Sequence, residues 1–153
     1  MTDAIQHPSY SVYFDYRVEI HRRRNLVTAI LGDIELARTE HPLLVDEQDH
    51  GLVFYFPAAD VRTDRLEFMR GRFTTCPWKG KASYWRAISG TEPIAWAYEN
   101  PHPEVIQIRD HIAFYQDKVT VSIGVAPYLP RWISPSERAN LEARAAAPKT
   151  ETL

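Results

Sequence analysis

Apolar and polar residues alternate with a period of two along most of the first 125 positions, and no stretch before residue 130 sustains a 3.6-residue period. The alternation predicts strands at residues 10–14 and 16–21. A third is predicted at 26–31, with β-branched Val27, Thr28 and Ile30, and a fourth at 34–37 after the Gly32-Asp33 turn. A short apolar run at 42–45 and a continuous one at 52–56 follow, separated by an acidic stretch at 46–51 that reads as a break. The unbroken run at 52–56 is expected to be buried on both faces. Pro57 ends it and opens a single helical turn over 58–62. Further strands are predicted at 66–68, 81–88, 94–98, 112–115 and 119–123, with Ser89-Gly90 and Gln116-Asp117 as turns.

The C-terminal end differs. Ser134-Pro135-Ser136-Glu137 has capping-box spacing with proline at the first helical position, which predicts a helix of about 12 residues. Its apolar content is alanine plus a single Leu141, too little to anchor it firmly, so it is expected to be peripheral or to dock on a partner. Pro148 stops it, and residues 149–153 are expected to be disordered. The body is therefore all-β and mainly antiparallel, with short helical turns and one appended α-helix.

A chain of 153 residues, 44% hydrophobic and 25% charged, suits one domain able to bury its own core without disulfides or a structural metal. Its single cysteine excludes an intramolecular disulfide and points to a reducing compartment. The N-terminus has neither the basic nor the apolar region of a signal peptide, and no apolar run approaches bilayer length, so a cytoplasmic protein without membrane contacts is expected. The net charge of −2 argues against a nonspecific nucleic-acid binder. Arg22-Arg23-Arg24 is the exception; it reads as a solvated turn between strands, with phosphate contact as the alternative.

Candidate chemistry concentrates at Cys76-Pro77-Trp78-Lys79-Gly80. Lys79 and Lys81 would favour the thiolate of Cys76 over its ordinary pKa of about 8.5, which makes Cys76 the candidate nucleophile; the competing reading is a small buried hydrophobe. Gly80 lets the backbone approach a bound group, and Lys79 offers a point charge for a phosphate or carboxylate, although the motif lacks the glycines of a P-loop. Strand periodicity puts Tyr84 on one face with Ala82 and Arg86, and Trp96 with Tyr98 on one face of the next strand. If these strands pair, the aromatic rings either line a ligand pocket or fill the core. Asp60 and Arg62 complete the candidate ligand-binding set, their alternative roles being a turn cap and a surface ion pair. His7, His21, His41, His50, His102 and His111 show no metal-ligand spacing, and neither a metal nor another cofactor is expected.

Four blocks carry a family resemblance: Val53-Phe-Tyr-Phe-Pro-Ala-Ala-Asp-Val61; Thr75-Cys-Pro-Trp-Lys-Gly80 with Ala82-Ser-Tyr84; Ala95-Trp-Ala-Tyr98 with Pro101 and Pro103; and His111-Ile-Ala-Phe-Tyr115. In this order they resemble the bacterial domain-of-unknown-function family 427. The resemblance divides the chain into an arm at 1–16, the family domain at 17–125, and a linker, helix and tail at 126–153. It implies a β-tent-like pair of sheets, as in methionine sulfoxide reductase B and the drug-binding domain of cereblon. The paired zinc cysteines of those relatives have no counterpart beside Cys76. The resulting expectation is a small-ligand-binding β domain that takes a small polar or anionic molecule. The alternatives are an enzyme using Cys76 as nucleophile or redox thiol, and a protein-interaction module; catalysis and homo-oligomerisation are left open.

Overall fold

The computed structural model describes residue 9 and residues 15–125 and 133–146, and across these the chain is mostly antiparallel β-structure in two sheets. Strands β1 (Val18–Arg22), β4 (Leu43–Glu47), β5 (Gly51–Pro57), β6 (Leu66–Cys76), β7 (Gly80–Ala87), β8 (Pro93–Tyr98) and β9 (His111–Phe114) form a seven-stranded sheet. Their order is β1-β4-β5-β9-β8-β7-β6. Strands β2 (Val27–Leu31), β3 (Ile34–Thr39) and β10 (Thr120–Ile123) form a three-stranded sheet in the order β10-β2-β3. The strand expected at 10–14 and the tail at 149–153 lie outside the described residues.

The large sheet is covered on both faces, and side-chain alternation sorts its residues between them. One face packs on the small sheet. Phe56, Ile112 and Phe114 meet Val27, Ala29, Leu36 and Ala37 there, with the Phe56 and Phe114 rings edge to face at 5.5 Å. The other face carries Leu43, Val45, Tyr55, Ala82, Tyr84, Tyr98 and Ala113, closed over in part by Val105 and Ile108 of a 3-10 segment, Pro103–Ile108. This second face holds the aromatic residues singled out from the sequence.

Three elements differ from expectation. Strand β5 is fully buried only at Tyr55 and Phe56, whereas Leu52 is 55% exposed, because β9 pairs only with Tyr55 to Pro57 and leaves the first half of β5 flanked by β4 alone. Strand β4 runs on through Glu47 into the stretch read as an acidic break. The short strand expected at 66–68 is an eleven-residue edge strand, β6, whose register with β7 shifts between Phe68 and Phe73 around Arg70, Gly71 and Arg72. Charged residues and a bulge are how edge strands avoid pairing with other chains, and they also hide the strand from a search for alternation. The turn after Pro57 is present as a 3-10 segment, Ala58–Asp60.

The C-terminal helix spans Pro135–Ala146, and Ser134 Oγ accepts a hydrogen bond from the Glu137 N–H at 3.2 Å, as capping-box spacing implies. No residue within it is buried; Ile133, just before it, is, and Arg24 pairs with Glu142 at 2.6 Å. The helix is peripheral, and its charged side engages its own chain. Among the described residues no helix is long and apolar enough to cross a membrane.

Phe56, wholly buried between the sheets, is the side chain whose truncation tests this packing. Phe56→Ala is expected to cost about 3–5 kcal/mol, seen as a lower urea midpoint at unchanged slope.

Candidate functional site

Strands β6 and β7 form a hairpin in which Cys76 pairs with Gly80 across the turn residues Pro77, Trp78 and Lys79. Gly80 has φ +115, a conformation that calls for glycine, and its backbone lies close against the Asn100 carbonyl and the His102 ring. The Lys79 carbonyl accepts the His102 N–H at 3.0 Å, which holds the turn against the loop after β8. Trp78 stacks on Tyr16 with ring centroids 4.0 Å apart. The turn thereby aims Lys79 inward.

Lys79 Nζ forms a buried ion pair with Glu47 of β4, which is only 2% exposed. Glu47 also accepts the Tyr16 hydroxyl at 2.6 Å and lies 3.3 Å from His50 Nε2. The lysine stands over the Tyr98 ring, 5.6 Å from its centroid. A free ammonium for an incoming anion is thus not what Lys79 presents; its charge is already met.

Above this pair opens a cavity of about 560 Å³. Pairing of β7 with β8 sets Tyr84 opposite Trp96 and Ala82 opposite Tyr98, so the two aromatic strand faces do converge. Tyr55 and Tyr115 join them: the Trp96 indole N–H donates to the Tyr55 hydroxyl at 3.1 Å, and the Trp96 and Tyr115 rings lie 4.8 Å apart. The Tyr84 hydroxyl is hydrogen-bonded to Thr74 Oγ1 at 2.5 Å. Half-buried Cys76 completes the wall.

Of the residues predicted from sequence, Cys76, Lys79, Tyr84, Trp96 and Tyr98 therefore line one cavity. Asp60 and Arg62 do not. An isolated bridge of Val61 with Ala37 fixes their segment beside β3, where Asp60 accepts the Thr39 hydroxyl at 2.7 Å and exposed Arg62 reaches Asp64 at 3.4 Å. Arg62 forms the surface ion pair of the alternative reading, whereas Asp60 ties its turn to β3 and caps neither 3-10 segment. Glu47, His50, Tyr55 and Tyr115 were missed. The alternation Leu43, Val45, Glu47 held the signal for the first, since it puts a carboxylate on an otherwise apolar face.

Burial raises the Tyr55 and Tyr98 phenols well above their usual pKa. Tyr16 is raised by desolvation and by its bond to the Glu47 carboxylate, and Tyr115 by desolvation and its neighbour Tyr84. These hydroxyls stay protonated and keep their capacity to donate. Among the described residues no group of three or more His, Cys, Asp or Glu is arranged to hold a metal.

Fold and cavity together define an antiparallel β domain whose larger sheet curls around an aromatic recess closed by a buried ion pair. Residues 19–124 match the model of the family described as Domain of unknown function (DUF427), and the chain belongs to that family. No curated protein matches the chain at a significant level.

Two outcomes are expected. Removing one partner of the ion pair, as in Glu47→Leu, should cost about 3–5 kcal/mol, while Glu47→Leu with Lys79→Met should recover most of the loss; urea unfolding of the three proteins measures both. The raised tyrosines hold their protons longer in the folded chain than in the unfolded one, whose value is about 10. The stability tied to those protons is complete below that pH and lost as pH rises above it. Tyrosinate absorbance should accordingly show a group of phenols that ionises only as the protein unfolds in alkali, and a single transition near pH 10 would contradict the burial of Tyr55 and Tyr98.

Proposed function

We propose that this domain binds a small molecule in the aromatic recess of the seven-stranded sheet. The observation that carries the reading is the convergence of five aromatic side chains, Tyr55, Tyr84, Trp96, Tyr98 and Tyr115, with Cys76 around one cavity of about 560 Å³. That size lies within the roughly 300–1,000 Å³ common for ligand pockets, and apolar walls bearing a few fixed polar groups are their usual construction. The rings would enclose a planar apolar body, and the phenols and His50 would orient a polar substituent. Because Glu47 already neutralises Lys79, the ligand is polar and flat rather than a bare anion.

A second reading, an enzyme with Cys76 as nucleophile, draws support from the half-buried thiol sharing the cavity with His50 and the tyrosines. The two readings meet at the same recess and separate on turnover.

Screening with p-hydroxybenzamide, indole and related uncharged planar compounds should raise the melting temperature of the wild type, and Trp96→Leu should abolish the shift. Binding in the recess should also slow alkylation of Cys76 by iodoacetamide. A stabilising compound that leaves both Trp96→Leu binding and the Cys76 labelling rate unchanged would remove the recess from the account, and ligand conversion lost in Cys76→Ser would move the enzyme reading ahead.

A further inference from the structure

A second cavity, of about 520 Å³, lies at the opposite end of β4 from Glu47, between the β1–β2 loop and the C-terminal helix. Its charge is unlike that of the chain, whose formal net charge is −2. Arg22 enters from the end of β1, Arg23 and Arg24 from the loop after it and Arg138 from the helix, and His41 and His111 add two imidazoles. Among the described residues that line the cleft, one carboxylate faces these four guanidinium groups, that of Glu142, and it is engaged by Arg24 at 2.6 Å. Among the described residues Arg22, Arg23 and Arg138 have no carboxylate partner, and the Arg24 Nε is buried without a hydrogen-bond acceptor. A buried donor left without an acceptor is costly, so its position marks where an acceptor belongs. The floor is formed by Pro42, Leu43 and Pro57, apolar residues that exclude water and strengthen charge interactions above them.

We propose that this cleft is an anion site for a small phosphorylated molecule, gripped by Arg22, Arg23 and Arg138 around the orphaned donor of Arg24. Guanidinium groups match phosphate oxygens in pairs, and several arriving from two elements separated by more than a hundred residues of chain make a multivalent phosphate the fitting ligand. The cleft is concave, which favours a compact ligand over an extended nucleic-acid strand. Binding would also relieve the repulsion between Arg138 and the loop arginines, and so secure a helix that buries none of its own residues. The site is independent of the aromatic recess and of any ligand there.

The test is a titration of the full chain with sodium tripolyphosphate at 0.15 M salt, read by thermal shift and calorimetry, with sodium sulfate at matched ionic strength as control. Saturable binding of tripolyphosphate, with a rise in melting temperature that sulfate does not reproduce, is expected. Arg22→Ala/Arg138→Ala, two exposed positions, should weaken it by about tenfold or more without lowering the melting temperature in the absence of anion. Should that variant unfold early, Arg138→Gln on the exposed helix serves the same comparison. Absence of saturable binding, or equal binding by the variants, would overturn the site. Tighter binding of a twelve-nucleotide single-stranded RNA than of tripolyphosphate would overturn the small-molecule assignment in favour of a nucleic-acid surface.

Discussion

Glu47 and Lys79 belong to parts of the chain that a flat sheet would hold far apart. Strands β4 and β7 are separated by β5, β9 and β8, and four strand spacings of roughly 4.8 Å amount to about 19 Å. The ion pair across that span requires the sheet to curl until β4 and the β6–β7 turn face each other. The recess is the space inside this curl: strand register sets its rings beside one another, and the ion pair closes one end of it. Burying two charges brings little net stability; what such a pair supplies is a defined partner, since either charge left alone would be costly. Tyr16 and His50, both on Glu47, and Trp78, stacked on Tyr16, extend the clasp to the surface.

The large sheet does two jobs because strands expose alternate residues to opposite faces. Phe56, Ile112 and Phe114 serve the packing against the small sheet, while Tyr55, Ala113 and Tyr115 on the same two strand segments serve the recess. The division separates stability from recognition. The face toward the small sheet is mostly aliphatic and phenylalanine side chains, while the face toward the recess carries most of the hydroxyl-bearing rings, and there Tyr55 and Trp96 find a partner in each other. The recess and the arginine-lined cleft sit at the two ends of β4, the first closed by a neutralised pair and the second left with surplus positive charge.

The aromatic site was largely legible because it follows from strand periodicity alone. Tyr84, Trp96 and Tyr98 needed only two neighbouring strands with a short connection, and adjacent strands in sequence commonly pair. Cys76 and Lys79 were drawn in by the turn that precedes the same strand. Asp60 and Arg62 were assigned to the site by proximity to a buried strand, yet the chain leaves β5 toward the small sheet and carries them with it. Glu47 escaped because an acidic run resembles a loop, and a carboxylate is expected in a buried strand only once its counter-charge is known.

Local physics, read from the sequence by itself, determined most of the elements: alternation for the strands other than the bulged edge strand β6, and the Ser134 to Glu137 spacing for a helix that spans Pro135–Ala146. It also determined which residues share a strand face, since that depends only on the pleat. The tertiary structure decided what depends on distant partners. It set the order of seven strands, curled the sheet so that Lys79 meets Glu47 instead of a ligand, and brought Arg138 beside three arginines more than a hundred residues earlier in the chain. Charges interact through space and not along the sequence, so the partner of a charged residue emerges only when the fold is known.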